Sequence, residues 1–254
     1  MRSEEFLSLI SEYSKDNDTF ETFKNGLPIG QDVAGNIALA RKKETALHVR
    51  NVCVTGVNRS DFIRRFLITL SCLYEKQELQ FFVLSPHAEY GELLRLRNMD
   101  ITVPYIRTKA DLDQAIETVR ELTRMHEMER GLPKLVLVLD GLDELQNCNE
   151  NGDLEEYRAI YETLARKPYV EIVSGMDLKK SIFSGYPGAI VGVGNCLISI
   201  QSEGKADVTY VQEDSSLSMP EPIKFPSEPS ITETIILFNS LSKTAETDVG
   251  ENDA

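Results

Sequence analysis

KLVLVLDGL, residues 134–142, is the stretch that decides the fold. Leu135 to Leu139 are apolar without a break, then an acid and a glycine follow. A run this short and this apolar reads as a strand buried on both faces, as in the middle of a parallel sheet. Upstream, residues 109–130 place Leu112, Ala115, Ile116, Val119, Leu122 and Met125 on one stripe, which predicts an amphipathic helix. Before it, LQFFVLSP (79–86) reads as a strand closed by Pro86, AEYGELLRLR (88–97) as a helix, and ITVPYI (101–106) as a strand whose Pro104 favours an edge. VRNVCVTG (49–56) is a buried strand running into a glycine turn. SDFIRRFLITLSCLYEK (60–76) has Phe62, Ile63, Phe66, Leu67 and Leu70 at helical spacing, with Ser60 as the expected N-cap. Downstream come a helix over 154–166 and a strand over 170–176. This alternation predicts an α/β fold, a doubly wound and mainly parallel sheet with helices on both faces.

The flanks read differently. Residues 4–15 carry Phe6, Leu7, Leu9, Ile10 and Tyr13 near one side, an amphipathic helix. GLPIGQDVAGNIALARKK (26–43) is punctuated by glycine and proline and reads as a small hairpin. AIVGVGNCLISI and ADVTYVQ read as antiparallel strands about an EGK turn. Past residue 213, EDSSLSMPEPIKFPSEPS is rich in Ser, Pro and Glu and reads as an extended linker. In it, ITETIILFNSL (231–241) is the one apolar stretch able to dock, and the acidic end reads as a tail. The expected organisation is an N-terminal helix (1–24), a central domain (25–213) and a linker with tail (214–254).

Composition narrows the function classes. The chain has 254 residues, 41% of them hydrophobic, enough for a sizeable core without staples. Its net charge is −14, of which residues 201–254 carry −8. A negative field opposes phosphate, so freestanding DNA binding is disfavoured. Cys53, Cys72, Cys148 and Cys196 form no CxxC pair, and the three histidines stand apart. That excludes a zinc ribbon or a disulfide scaffold and fits a reducing cytoplasm. There is no apolar run of ~20 residues to span a bilayer, and the N-terminus lacks a signal-peptide layout. A cytoplasmic location is therefore expected.

Two places resemble the nucleotide-binding parts of a P-loop ATPase. VCVTGVNRSDF (52–62) is a strand, a glycine turn and a helix start, the junction whose free N–H groups hold phosphate. Counted from Gly56, the spacing GxxxxGK[ST] fails. Aligned on the loop's later portion, Gly56-Val57-Asn58-Arg59-Ser60 stands where GSGKS would be. Arg59 then replaces the lysine, Asn58 replaces a glycine, and Ser60 keeps the hydroxyl that meets Mg²⁺. A forked arginine is no equivalent of a compact lysine. The second place is LVLVLDGLDEL (135–145), the Walker B layout, with Asp140 set to hold Mg²⁺. Gly141 occupies the position of the usual catalytic glutamate, and Asp143 and Glu144 follow as acidic support.

The order of motifs carries more weight than either motif. LPIGQDVAGN (27–36) resembles the LPIG-x-D-x-x-G segment that precedes the P-loop in FtsK/SpoIIIE-type ATPases. The altered loop at 52–60, the strand QFFVLSP, the Walker B-like strand and VEIVSGM then follow in that family's order. The chain is most similar to the degenerate C-terminal ATPase modules of type VII secretion motors. LVLDGLDEL also resembles the Walker B segment of NACHT-type ATPases, with no second motif to match.

The resemblance implies a RecA-like core, ring or tandem packing, and protein partners, namely neighbouring ATPase modules or the signal peptides of secreted proteins. It places such a chain at the inner face of a membrane through those partners. Departures at the loop glycine, the lysine and the glutamate point to a scaffold or recognition module that turns over little or no ATP, with ATP and Mg²⁺ as ligands the family admits. An active motor on DNA or secreted protein, with Gly56, Asn58, Arg59 and Ser60 as a variant loop and Asp140 as Mg²⁺ ligand, is the alternative. Nucleotide held as structural glue is a third. Outside these motifs, His87 reads as a loop residue, Arg64, Arg65, Arg95 and Arg97 as solvated, and Gly192 and Gly194 as turn glycines.

Overall fold

The computed structural model describes residues 1–16, 27–40, 51–74, 76–96, 106–129, 131–141, 163–164, 167, 169–175, 196–211, 216–228 and 230–236. Residues 101–105 of the expected strand 101–106, most of the helix at 154–166, Arg97, the glycines at 192 and 194, and the end of the chain lie outside them. So do Asp143 and Glu144, the acidic support expected from the sequence.

The elements in chain order are α1 (Ser3–Asp16), β1 (Pro28–Gln31), β2 (Ile37–Leu39), β3 (Asn51–Gly56), α2 (Arg59–Leu73), β4 (Leu79–Leu84), a 3-10 helix (Ala88–Arg95), α3 (Lys109–Met128), β5 (Lys134–Asp140), β6 (Val170–Gly175), β7 (Cys196–Ser202), β8 (Lys205–Tyr210) and β9 (Glu221–Lys224). A short helical turn follows at 231–236. All nine strands join one sheet in the order β2-β1-β9-β8-β7-β3-β6-β5-β4. The run β7-β3-β6-β5-β4 is parallel throughout. From β7 outward through β8, β9, β1 and β2 every pairing is antiparallel. The expected mainly parallel sheet is thus a mixed one, parallel in one half only. At two of these pairings, β1–β2 and β7–β8, the reason is a hairpin, whose short turn requires antiparallel strands.

The apolar run of β5 does what its pattern requires. Val136 and Val138 enter one hydrophobic layer, with Val52 and Val54 of β3 and with Phe62, Ile63, Phe66, Leu67 and Leu70 of α2. Leu135, Leu137 and Leu139 enter the other, with Cys53, Ile172 and the α3 stripe of Leu112, Ala115, Ile116 and Val119. So α2 covers one face and α3 the opposite face. The expected α3 starts at a full capping box, in which Thr108 accepts from the Asp111 N–H and Asp111 reaches back to the Thr108 N–H. The 88–97 helix is 3-10 rather than α. Gly91 at its centre weakens the α alternative.

Residues 216–228, within the stretch whose composition suggested an extended linker, contain a strand. Residues 221–224 form β9 between β8 and β1, and Ile223 and Phe225 are buried beneath it. β1 meets β9 only at Gln31↔Lys224, so Pro222 stands where its strand has one partner and loses no ladder bond on the other side. The apolar stretch after it docks as a helical turn, burying Ile231 and Ile235. It also joins the start of the chain: Ser3 donates from its N–H and Oγ to the Glu228 carbonyl, and Ser227 donates to the Met1 carbonyl.

Candidate functional site

Where β3 ends, the chain must turn sharply into α2. Gly56 makes the turn at φ +103°, and a Cβ there would run into the Ile200 carbonyl of neighbouring β7. Asn58 adopts the left-handed region at φ 58°, ψ 30°, which asparagine tolerates better than most residues, and it occupies the N-cap without a side-chain cap bond. Ser60 was expected at that cap. Because Asn58 holds it, Ser60 falls in the first turn and its hydroxyl faces the sheet.

It meets Asp140 there. Asp140 ends β5 fully buried, and the structure brings the candidate loop onto it from across the intervening β6. Arg59 Nε donates to Oδ1 at 3.0 Å and Ser60 Oγ donates to Oδ2 at 2.5 Å. Gly56 and Asn58 shape the loop and Arg59 and Ser60 reach the acid, so all five described candidates converge.

Two residues that sequence reading missed complete the site. Gly175 ends β6 opposite Asp140, and a Cβ there would collide with Asp140 Oδ1. Only glycine lets the carboxylate lie over β6 toward the loop. Its carbonyl also accepts from the Gly141 N–H at 3.0 Å, fixing the left-handed turn after the acid. Tyr90, on the 3-10 helix and fully buried, donates its hydroxyl to Asp140 Oδ2 at 2.9 Å. Burial above all, then the Asp140 charge, holds the Tyr90 phenol well above the usual tyrosine range.

Arg64 explains how the 3-10 helix is placed. From α2 it meets Glu92 at 3.2 Å and Glu89 at 3.6 Å, the two acids that flank Tyr90, and also Asp61 at 3.6 Å. Arg65, on the next position, is buried and bonds Asp61 at 3.0 Å and Thr234 at 3.5 Å. The solvated reading of both arginines is therefore corrected: each ties α2 to a neighbour. Arg95 is exposed, as expected, and His87 lies beside Gly141.

Above the loop opens a cleft of about 1100 Å³, lined by Asn58, Arg59 and Ser60 on one side and by Phe225, Glu228 and Glu233 on the other. It lies at the carboxyl ends of the parallel strands, where α/β proteins place their ligand sites. Inside it, the two residues expected to meet phosphate and Mg²⁺, Arg59 and Asp140, are bonded to each other. Asp140 Oδ1 accepts from Arg59 and Oδ2 from Ser60 and Tyr90, so the arginine is turned onto the acid. Among the described residues there is no group of three His, Cys, Asp or Glu side chains suited to a metal. No helix among them is long and apolar enough to cross a membrane.

No protein-family model matches the sequence, and no curated protein matches it significantly. Solved structures do match the fold. The cytoplasmic domain of the type VII secretion ATPase EccC from Thermomonospora curvata superposes with a TM-score of 0.60 at 11% identity, over 85% of this chain and 31% of that one. EssC (ATPases 2 and 3) from Geobacillus thermodenitrificans gives 0.57 at 12% identity, over 87% and 50%. Thermomonospora curvata EccC (ATPases 2 and 3) in complex with a signal sequence peptide gives 0.54 at 12% identity, over 81% and 41%. The chain spans between about a third and a half of these structures. The likeness is one of fold: mixed α/β with parallel strands, as in secretion ATPase modules.

Proposed function

We propose that this chain is an FtsK/SpoIIIE-like module with a RecA-like core that serves a secretion or translocation machine by binding and scaffolding, without turning over ATP. One observation carries the reading. The two side chains that would handle phosphate and metal, Arg59 and Asp140, are bonded to each other inside the fold. The solved neighbours supply the setting, since they are modules of type VII secretion ATPases. One of them is solved with a signal sequence peptide, which supports an extended segment of a secreted protein as the partner here, alongside an adjacent ATPase module. In this reading the protein works in the cytoplasm, and neither ATP nor Mg²⁺ is a resident cofactor.

The test is thermal unfolding with and without Mg²⁺-ATP, followed by a phosphate-release assay. A ligand that binds only the folded state raises Tm by mass action. The expected result is no shift and no release above the buffer rate. A rise of several degrees, with phosphate release that disappears in Ser60→Ala, would establish the variant-loop motor instead.

A further inference from the structure

We infer that Arg59 is a tethered counter-ion: it does for the buried Asp140 what a bound cation does at such a site, and so joins the loop, β5 and the 3-10 helix without any ligand. A carboxylate with no solvent exposure is costly unless a cation and hydrogen-bond donors meet it. Asp140 is in that position, and among the described residues Arg59 is the one cation in contact with it. Ser60 and Tyr90 supply neutral donors to the other oxygen, so the acid is satisfied on both sides.

The three donors come from separate parts of the chain. Arg59 and Ser60 open α2, and Tyr90 belongs to the 3-10 helix. Their common acceptor is therefore a buried joint between these elements, beside the outer ion pairs of Arg64 with Glu89 and Glu92. Gly175 belongs to the same device, because it leaves the space in which the Asp140 carboxylate lies. Arg59 retains 17% side-chain exposure and Asp140 none, so the arginine closes the joint from the cleft side.

This inference shares the Arg59–Asp140 pair with the proposed function but claims something separate, the stability that the pair confers. ATP turnover by the native protein would sink that proposal and leave the joint to be judged by its own variants. These are Arg59→Met, Asp140→Asn and the double variant, followed by thermal unfolding with and without millimolar MgCl₂. Arg59→Met strands a buried charge and should lower Tm by something on the order of 10 °C. The double variant removes that charge and should recover much of the loss. Mg²⁺ alone should leave the native protein unmoved and raise Tm of Arg59→Met; recovery by Asp140→Asn without a Mg²⁺ effect still supports the inference, since the charge was what needed a partner.

Three results overturn it. They are an Arg59→Met protein as stable as the native one, a double variant no more stable than Arg59→Met, or a native protein stabilised by Mg²⁺. If Arg59→Met does not fold, the double variant decides: folded supports the joint, unfolded overturns it.

Discussion

At Asp140, three hydrogen bonds end on one buried carboxylate, and their donors differ in kind. Arg59 brings charge, Ser60 a short hydroxyl from the same helix turn, and Tyr90 a rigid phenol from another element. Hydrogen bonds to charged groups contribute about 1.5–3 kcal/mol each when both partners are buried. Tyr90→Phe keeps the ring's packing and removes only the hydroxyl, so it should cost about that much in urea denaturation with an unchanged m-value. A loss below about 0.5 kcal/mol would mean that Asp140 is satisfied without Tyr90. Much of this site was legible in the sequence. A strand ending in Asp and a strand ending in a glycine turn both deliver their ends to one edge of a parallel sheet, so Arg59, Ser60 and Asp140 could be named together. Tyr90 could not, because 50 residues separate it from Asp140 and nothing in HAEYGELL marks one aromatic as facing an acid. Gly175 was hidden for a related reason: the need for glycine there arises from a side chain on the next strand.

Among the elements, β9 shows where composition misleads. MPEPIKFPSEPS has the proline and acid content of a linker, yet Ile223 and Phe225 alternate with the exposed Pro222 and Lys224. Period-two alternation over four residues is a weak signal beside four prolines. What makes it a strand is a free edge of β8 with a buried face: Ala206, Val208 and Tyr210 point to the same layer that Ile223 and Phe225 fill. Phe225 then meets Phe62 of α2 edge to face at 5.0 Å, so the late strand also packs on the helix that opens at the candidate site. Two neighbouring substitutions separate strand from linker. Ile223→Ala should cost about 2–4 kcal/mol, as a large-to-small change in a core does. Lys224→Ala, on the exposed side, should stay within about 0.5 kcal/mol. Equal and small effects at both positions, measured by chemical denaturation, would return residues 221–224 to a linker.

Over the whole molecule, a sheet covered on both faces places thiols and phenols where their charged forms are unwelcome. Burial pushes the Cys53 thiol from 9.0 up to about 12, and burial followed by the Glu171 and Glu78 charges pushes the Tyr74 phenol from 10.0 to about 12. Burial likewise raises Cys72, Tyr90 and Tyr210. All five groups are neutral when protonated, and the fold raises the pKa of each above its unfolded value. Their contribution is therefore complete below about pH 9 and fades as pH rises toward the folded values. In that range the unfolded chain has released protons that the native chain still holds, so stability falls with pH, by up to about 1.4 kcal/mol per pH unit for each such group. Cys53 and Tyr90, on opposite faces of the parallel half, make this a property of the entire sheet rather than of the candidate site. Urea midpoints taken from pH 7 to pH 11 should stay level to about pH 8.5 and then drop with increasing slope. Tyr90→Phe should lessen that drop, because one of the protons is no longer there to lose. A midpoint level through pH 11 would mean that these thiols and phenols ionise in the folded protein as readily as in water, which a sheet sealed on both faces does not allow.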